Sequence, residues 1–362
     1  MWLFKSKPKS CLGIDIGTAS IKVVQLKRED ERYKLETYGE LQVPNYSGGI
    51  SDSFNVKASK LPENQIIDMI EKLLKDAETK TKHVIMSIPV FSAFISVIDL
   101  PPMSEKEISR ALIFEAKRYI PVSLSEVRID WKIIGKEEVS SPDSKNKGLF
   151  KFRAILVAVP KEIIGKYLRI VSKLKLKILA LELESFSYIR SLVGSDPSTA
   201  CVLDFGARST SFTIVDKGLI QMSHSFDIAG NELTKALSHG MGVDFSRAEA
   251  YKRERGLDHM EVDAGKEIKD ILLTFIDKVV LEMERMMDAY FEKSKRKVTK
   301  LVLSGGSGSI VGLKEYLGDR LKIEILIGNP WARISYPTVL SPVLKEIAPR
   351  FAVAIGLAMR EI

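Results

Sequence analysis

Two segments of this 362-residue chain repeat one pattern, GIDIGTAS at 13–20 and VLDFGARS at 202–209. Each is an apolar run ending in an acid, with a Gly two residues on and a hydroxyl three residues after that: Asp15, Gly17, Ser20 and Asp204, Gly206, Ser209. A strand that ends in Asp offers its carboxylate at the sheet edge, and the Gly lets the backbone turn closely with its N–H groups facing an anion. One such turn says little, because short Gly-containing turns are common. Two copies about half a chain apart predict a duplicated α/β fold whose halves face each other across a nucleotide.

A third segment joins them. LVLSGGSGSIVGLKEYL at 301–317 reads as an apolar strand running into Ser304, Gly305, Gly306, Ser307 and Gly308 and then a helix, so bare backbone can approach a ligand near a helix N-terminus. Strand-to-helix loops favour Gly and Ser in any case, and only the two acid-Gly turns raise the ligand reading above that alternative. Thr210, next after the second turn, and Gly230, just before a helix expected at 231–239, complete this candidate set.

Elsewhere the periodicity mixes strand and helix. Strands are expected at 11–16, 20–27 and on through Tyr38, then a helix with Ile66, Ile70, Leu73 and Ala77 on one face, then a buried strand at 83–90. Pro101 and Pro102 mark a break. Ser104 and Glu107 form a capping box for a helix that Pro121 stops, followed by strands at 128–134 and 152–159 around a polar loop, KEEVSSPDSKNKG, and a helix at 161–175 closing an inserted unit. The second half predicts a hairpin at 201–226 with a turn at Asp216, Lys217 and Gly218, and helices at 231–239, 245–255 and 264–294. The last of these carries a stripe from Ile268 to Tyr290 that reads as core. The terminal PRFAVAIGLAMREI is expected to pack back on the first half.

Composition removes several classes. No apolar run is long enough to span a bilayer and no signal peptide is visible, so a cytoplasmic chain is expected. MWLFKSKPK at the start suits either a frayed terminus or a weak contact with an acidic membrane surface. Cys11 and Cys201 each open one repeated strand and read as small buried hydrophobes, and the four His show no ligand spacing. The net charge of +8 is spread among acids, which argues for a solvated surface and against nucleic acid as a partner.

The three segments in this order resemble the actin-like ATPase superfamily: two duplicated ribonuclease H-like lobes, here with an inserted subdomain like that of the division protein FtsA. Within that branch PPMSEKEISRALIFEAKRYIP at 101–121, ESFSYIR at 184–190, GNPW at 328–331 and AIGLAMRE at 354–361 resemble the PilM family of type IV pilus assembly. The resemblance implies a first lobe at 1–97, the inserted subdomain at 98–182 and a second lobe at 183–362. It also implies ATP with Mg2+, clamped by N–H groups of Gly17, Thr18 and Ala19 on one side and Gly206, Ala207 and Arg208 on the other. Asp15 and Asp204 would organise the metal through its waters.

Lys22, seven residues past Asp15, stands at the spacing of actin's phosphate-contacting lysine, and an outward strand lysine is the alternative. Glu249 and Lys252, on one face of a helix, are the family's ribose and base pair of residues or else an exposed ion pair. Gly305, Gly306 and Ser307 would contact the adenosine. Glu184 is the candidate for positioning water at the terminal phosphate, with Glu182 as its substitute, and slow or absent hydrolysis is expected, leaving enzyme status open. The partner implied is the N-terminal cytoplasmic peptide of a PilN-like single-pass inner-membrane protein, held between the first lobe and the inserted subdomain. Membrane contact would then be indirect, within a pilus assembly platform and its motor, with homo-oligomers possible. The rival expectations are an FtsA-like filament and a small-molecule kinase of the same superfamily.

Overall fold

The computed structural model describes residues 8–43, 61–104, 106–138, 150–258 and 263–360. The opening MWLFKSK and all but the first three residues of the polar loop at 136–148 lie outside them.

The first sheet starts with β1 (Ser10–Ile16), β2 (Ser20–Glu29) and β3 (Arg32–Gln42), an antiparallel meander. Helix α1 (Glu63–Asp76) then returns the chain so that β4 (His83–Ile88) pairs parallel with β1. The chain next leaves this sheet. Strands β5 (Phe94–Met103), β6 (Val127–Glu138) and β7 (Phe150–Pro160) form a separate antiparallel sheet in the order β5-β7-β6, with α2 (Ile108–Tyr119) against it. Pro101 and Pro102, expected to break the chain, lie inside β5. The ladder skips from Leu100 to Met103 and β5 is an edge strand, where a missing N–H costs no pairing.

Helix α3 (Lys161–Lys173), read from sequence as closing this unit, instead covers the first sheet. Its stripe of Ile163, Tyr167, Ile170 and Val171 packs with Ile66 and Ile70 of α1. Strand β8 (Lys177–Leu183) then extends that sheet, parallel to β4, and α4 (Glu184–Leu192) leads out of it.

The second sheet repeats the first. Strands β9 (Thr199–Phe205), β10 (Thr210–Asp216) and β11 (Leu219–Phe226) form the meander, joined at Lys217 and Gly218, both in the left-handed region that a tight hairpin needs. Helices α5 (Gly230–Met241), α6 (Phe245–Glu254) and α7 (Asp263–Ser294) follow, then β12 (Lys300–Ser304), α8 (Leu313–Leu321) and β13 (Glu324–Ile327). The orders β3-β2-β1-β4-β8 and β11-β10-β9-β12-β13 match strand for strand in position and direction. A two-residue strand, β14 (Ile334–Ser335), lies beyond β3, and α9 (Ser341–Ile347) and α10 (Ala352–Ala358) end the described chain.

Strand alternation decides what each face meets. In β1, Leu12, Ile14 and Ile16 face α1 and α3, while Cys11 faces a layer made of α4 and α10. In β9, Cys201, Leu203 and Phe205 face α7 and its neighbours, and Val202 faces the same α4/α10 layer. Both cysteines are buried, as expected of small hydrophobes. The molecule is therefore layered: helices, sheet, the α4/α10 layer, sheet, helices. The apolar terminal helix packs back on the first half, as its sequence predicted. By the same alternation Asp15 and Asp204 sit on the inner faces of their sheets, at the strand ends beyond the cover of α4 and α10.

Candidate nucleotide cleft

A cleft of about 480 Å³ opens between the two sheets, and the acid-Gly turns line it from both sides. The turns are superposable in their bonding. Gly17 N–H donates to Ser20 O at 3.1 Å, and Gly206 N–H donates to Ser209 O at 3.2 Å. A Cβ at either glycine would come within 3 Å of that same carbonyl, 2.9 Å at Gly17 and 2.7 Å at Gly206. The glycines thus serve a close approach rather than a left-handed backbone, since neither has positive φ.

The duplication reaches further than the sequence reading saw. Ser87, at the end of β4, donates to Asp15 Oδ1 at 2.8 Å, and Ser304, at the end of β12, is the register partner of Asp204. Each acid is steadied by a serine of the parallel neighbour strand. Ser304 Oγ also lies 3.2 Å from the Pro349 carbonyl, so its one proton can serve either acceptor. HVIMSIP and LVLSGG carry this signal in plain view: an apolar strand ending in Ser.

Beside the acids the halves differ. Asp15, Lys22 and Glu40 are direct partners across β1, β2 and β3, a lateral row of acid, base and acid. The matching row in the second sheet is Asp204, Ser211 and Ser225. Of these two rows, that of the first lobe alone carries a cation, and Lys22 faces the cleft rather than outward. Its side chain is largely buried, and its ammonium stands 3.9 Å from both Asp15 Oδ2 and Glu40 Oε1. That is beyond hydrogen-bond range, so attraction holds it in place while its donors stay uncommitted. Ser20 Oγ donates to Glu40 Oε1 at 2.7 Å, and Arg350 meets Glu40 Oε2 at 3.3 Å, fixing the outer end of the row.

Lys252 is the opposite case. It donates to Gly230 O at 3.0 Å, Thr234 Oγ1 at 2.8 Å and Glu249 Oε2 at 2.6 Å, which occupies all three of its protons. It lines the cleft, yet its work is to bind α6 to the start of α5, and the pair is neither exposed nor free to donate. Gly230 lies behind the cleft, its N–H on Gly206 O at 3.0 Å. Thr210 is fully buried with its hydroxyl on Ile228 O at 2.6 Å. These two buttress the second turn instead of lining the cavity. Gly305 takes the left-handed conformation at φ +79° and donates to Pro349 O, while nothing stands within 4 Å of a Cβ built on Gly306.

Of the two glutamates considered for water positioning, Glu182 is committed elsewhere. Arg190 holds it at 2.6 Å, Ser187 donates to it at 2.8 Å and Arg360 lies 3.6 Å away. Glu184 lines the cleft, with Val90 N–H on its Oε2 at 3.2 Å. Burial and the neighbouring carboxylates push Glu184 well above the usual carboxylate range, and burial also raises Asp15. Asp204 is pushed up to about 6 by burial first and by Asp15 second. Around the strand ends, three carboxylates face one lysine, so this part of the cleft is short of positive charge. Sequence reading also passed over Glu40, Gln42, Asn231, Arg253, Glu346 and Arg350, all of which line it.

Two grooves run along β5. One, about 390 Å³, lies among Phe91 of the first lobe, Phe94, Tyr119 and Ile120 of the inserted unit, and His224 of β11. The other, about 770 Å³, separates β5 from α7, and beside it Lys293 meets Asp99 at 2.7 Å. Neither groove contains the acid-Gly turns.

Two like-ordered sheets clasping a cleft between mirrored hairpins define an actin-like ATPase fold. Solved structures agree: a PilM–PilN type IV pilus biogenesis complex has a TM-score of 0.81 at 23% identity, covering 98% of this chain and 99% of that one. MreB5 of Spiroplasma citri bound to AMPPNP has a TM-score of 0.52 at 12% identity, covering 97% and 95%. The chain belongs to the family described as type IV pilus assembly protein PilM, whose sequence profile matches residues 13–362. Cell division protein FtsA of Staphylococcus epidermidis is 21% identical over 348 residues, 88% of this chain and 74% of that protein. FtsA of Bacillus subtilis is 20% identical over 353 residues, 88% and 78%.

Proposed function

We propose that this type IV pilus assembly protein binds ATP with Mg2+ between its sheets and uses the bound state to set its grip on a membrane partner. The observation that carries the reading is Lys22, a largely buried side chain whose ammonium makes no hydrogen bond, between the mirrored turns. A phosphate oxygen supplies the acceptor that its surroundings lack. The N–H groups of Gly17 and Gly206 are held by Ser20 O and Ser209 O, so those at 18–19 and 207–208 would meet the remaining oxygens, and Gly306 leaves room for the adenosine. Bound Mg2+ supplies the positive charge that Asp15, Asp204 and Glu184 lack. Among the described residues no three His, Cys, Asp or Glu side chains form a metal cage, so the acids would reach the ion through its waters. Burial and the neighbouring acids disfavour the charged form of Glu184, the form that would accept a water proton, until that charge arrives. Slow or absent hydrolysis follows.

The partner is the cytoplasmic N-terminal peptide of a PilN-like inner-membrane protein, taken in the groove lined by Phe91, Phe94, Tyr119 and Ile120. Among the described residues no helix is long and apolar enough to cross a membrane, and attachment at the inner membrane through this peptide is part of the proposal. Calorimetry with the peptide, with and without Mg-ATP, tests it. Phe94→Glu should weaken the peptide by about 2 kcal/mol, roughly thirtyfold, and leave Mg-ATP affinity unchanged. Equal peptide binding by the variant would remove this groove from the reading. The likeness to FtsA supports self-assembly as a second reading, for which ATP-dependent pelleting is the test.

A pH dependence follows from Asp204. Its folded carboxyl holds a proton up to about pH 6, above the unfolded range, so between about pH 4 and 6 the native state binds more protons. The stability of the nucleotide-free protein should therefore fall as pH rises through that window. Mg-ATP binding should do the reverse, strengthening as pH rises through 6 and releasing protons as it binds. Calorimetry in buffers of different ionisation enthalpy reads the proton count directly, and a zero count at pH 6 would contradict the assignment.

A further inference from the structure

The inserted unit carries an exposed apolar face that the nucleotide and peptide readings leave unused. Helix α2 is apolar on two sides. Ile108, Leu112 and Ala116 are buried against the small sheet. On the far side Phe114 is 66% exposed and Ile113 48% exposed.

At about 100° per residue, Arg110, Ile113, Phe114 and Lys117 fall within one outward arc of roughly 100°. All four are exposed. Glu115 falls well off this arc, and Glu107, about 20° beyond its Phe114 edge, is bound back to Ser104. Glu107 accepts from Ser104 N–H at 2.9 Å and from Ser104 Oγ at 2.7 Å, and Glu115, on the flank, pairs with Arg118 at 3.3 Å. The Glu107 contacts are also only half of the capping box that the sequence suggested, since the Ser104 hydroxyl donates to Glu107 instead of accepting its N–H. What remains outward is two large apolar side chains set between Arg110 and Lys117, with Glu107 at the edge and its carboxylate held by Ser104.

Apolar side chains flanked by Lys and Arg match the boundary of an anionic bilayer, where headgroups take the charge and the acyl edge takes the Phe and Ile. We propose that this face of α2 rests on an anionic lipid surface. An acidic protein would satisfy the cations but leave Phe114 and Ile113 without apolar cover, so the pairing of the two chemistries favours lipid. Tyr119, at the end of the same helix, lines the groove proposed for the membrane partner's peptide but falls about 170° from the centre of this arc, so the two contacts are separate surfaces. The lipid contact requires neither the peptide nor nucleotide.

Co-sedimentation of the full chain with vesicles tests it, comparing phosphatidylcholine alone with phosphatidylcholine containing phosphatidylglycerol. The expected result is binding to the anionic vesicles only, weakened by salt. The pair Ile113→Ser/Phe114→Ser should cost roughly tenfold or more in vesicle affinity with an unchanged melting temperature, because both side chains are already in water. Arg110→Gln/Lys117→Gln should cost a similar factor. Phe114→Trp should show a blue-shifted emission on anionic vesicles only. Three results would each overturn the proposal: no anionic dependence, an Ile113/Phe114 pair that sediments like the parent, or pelleting without vesicles that this pair abolishes, which would make the face a contact between copies.

Discussion

Lys22→Met should reduce Mg-ATP affinity by about 3 kcal/mol, roughly a hundredfold, while leaving the melting temperature of the nucleotide-free protein close to that of the parent. The reasoning starts from the register. Lys22 is the only base in the row Asp15, Lys22, Glu40, and at 3.9 Å from each acid it makes no hydrogen bond to either. A triphosphate would provide the short charged contacts that the resting cleft does not, and a charged hydrogen bond formed only in the complex contributes its full worth to binding. Removing the ammonium also leaves Asp15 and Glu184 in a more negative pocket, which repels phosphate further. The matched control is Lys252→Met. There three short bonds join α5 to α6, so the loss should appear first as a lower melting temperature, with nucleotide binding falling only as the second turn loosens. Isothermal calorimetry and thermal melts on both variants separate the two roles. If Lys22→Met bound Mg-ATP like the parent, the cleft would be wrongly assigned.

Those two lysines show where a sequence stops being informative. Both stand at suggestive spacings, Lys22 seven residues past an acid and Lys252 three past a glutamate, and spacing alone gave the two similar weight. What separates them is the number of acceptors within 3 Å, which depends on Gly230 and Thr234, residues of another helix. The same holds for Glu182 and Glu184. They are two apart in sequence, but Arg190 and Ser187 take the first, while the start of α4 turns the second into the cleft. The duplicated turns, by contrast, were legible because they are local: Asp, Gly and Ser within six residues encode a hairpin that needs no distant partner. The serines at the ends of β4 and β12 were equally local and went unread, since Ser at a strand end is ordinary until the strands are seen paired. Strand β8 was hidden for another reason. Its KILALEL is rich in Leu, Ala and Glu, which favour helix, and only pairing with β4 makes it a strand.

The second large effect concerns α10, whose AIGLA core sequence resembles nothing catalytic and yet holds the lobes together. A Cβ on Gly356 would come 1.9 Å from Ser187 O, and one on Gly13, the first residue of the first turn motif, 2.1 Å from Ala354 O. These are backbone obstacles that no rotamer change can relieve, so α10 could not sit between α4 and β1 if either position carried a methyl. Gly13 is therefore a packing residue, although it opens the motif GIDIG. Arg190 adds a bond to Gly356 O at 2.6 Å and Ser191 one to Ala352 O at 2.7 Å, which fix α10 along its length. Gly356→Ala should destabilise the fold by about 3 kcal/mol or more, a large share of the stability of a typical domain. Gly306→Ala is the control, with open space around the added methyl and a φ of −65°, and should change stability by under about 1 kcal/mol. Urea unfolding of the two variants would decide it. Equal midpoints would mean that the layer between the sheets is looser than its contacts imply. A lowered midpoint for Gly356→Ala alone would show that the stability of the fold depends on helices α4 and α10 meeting with no side chain between their backbones.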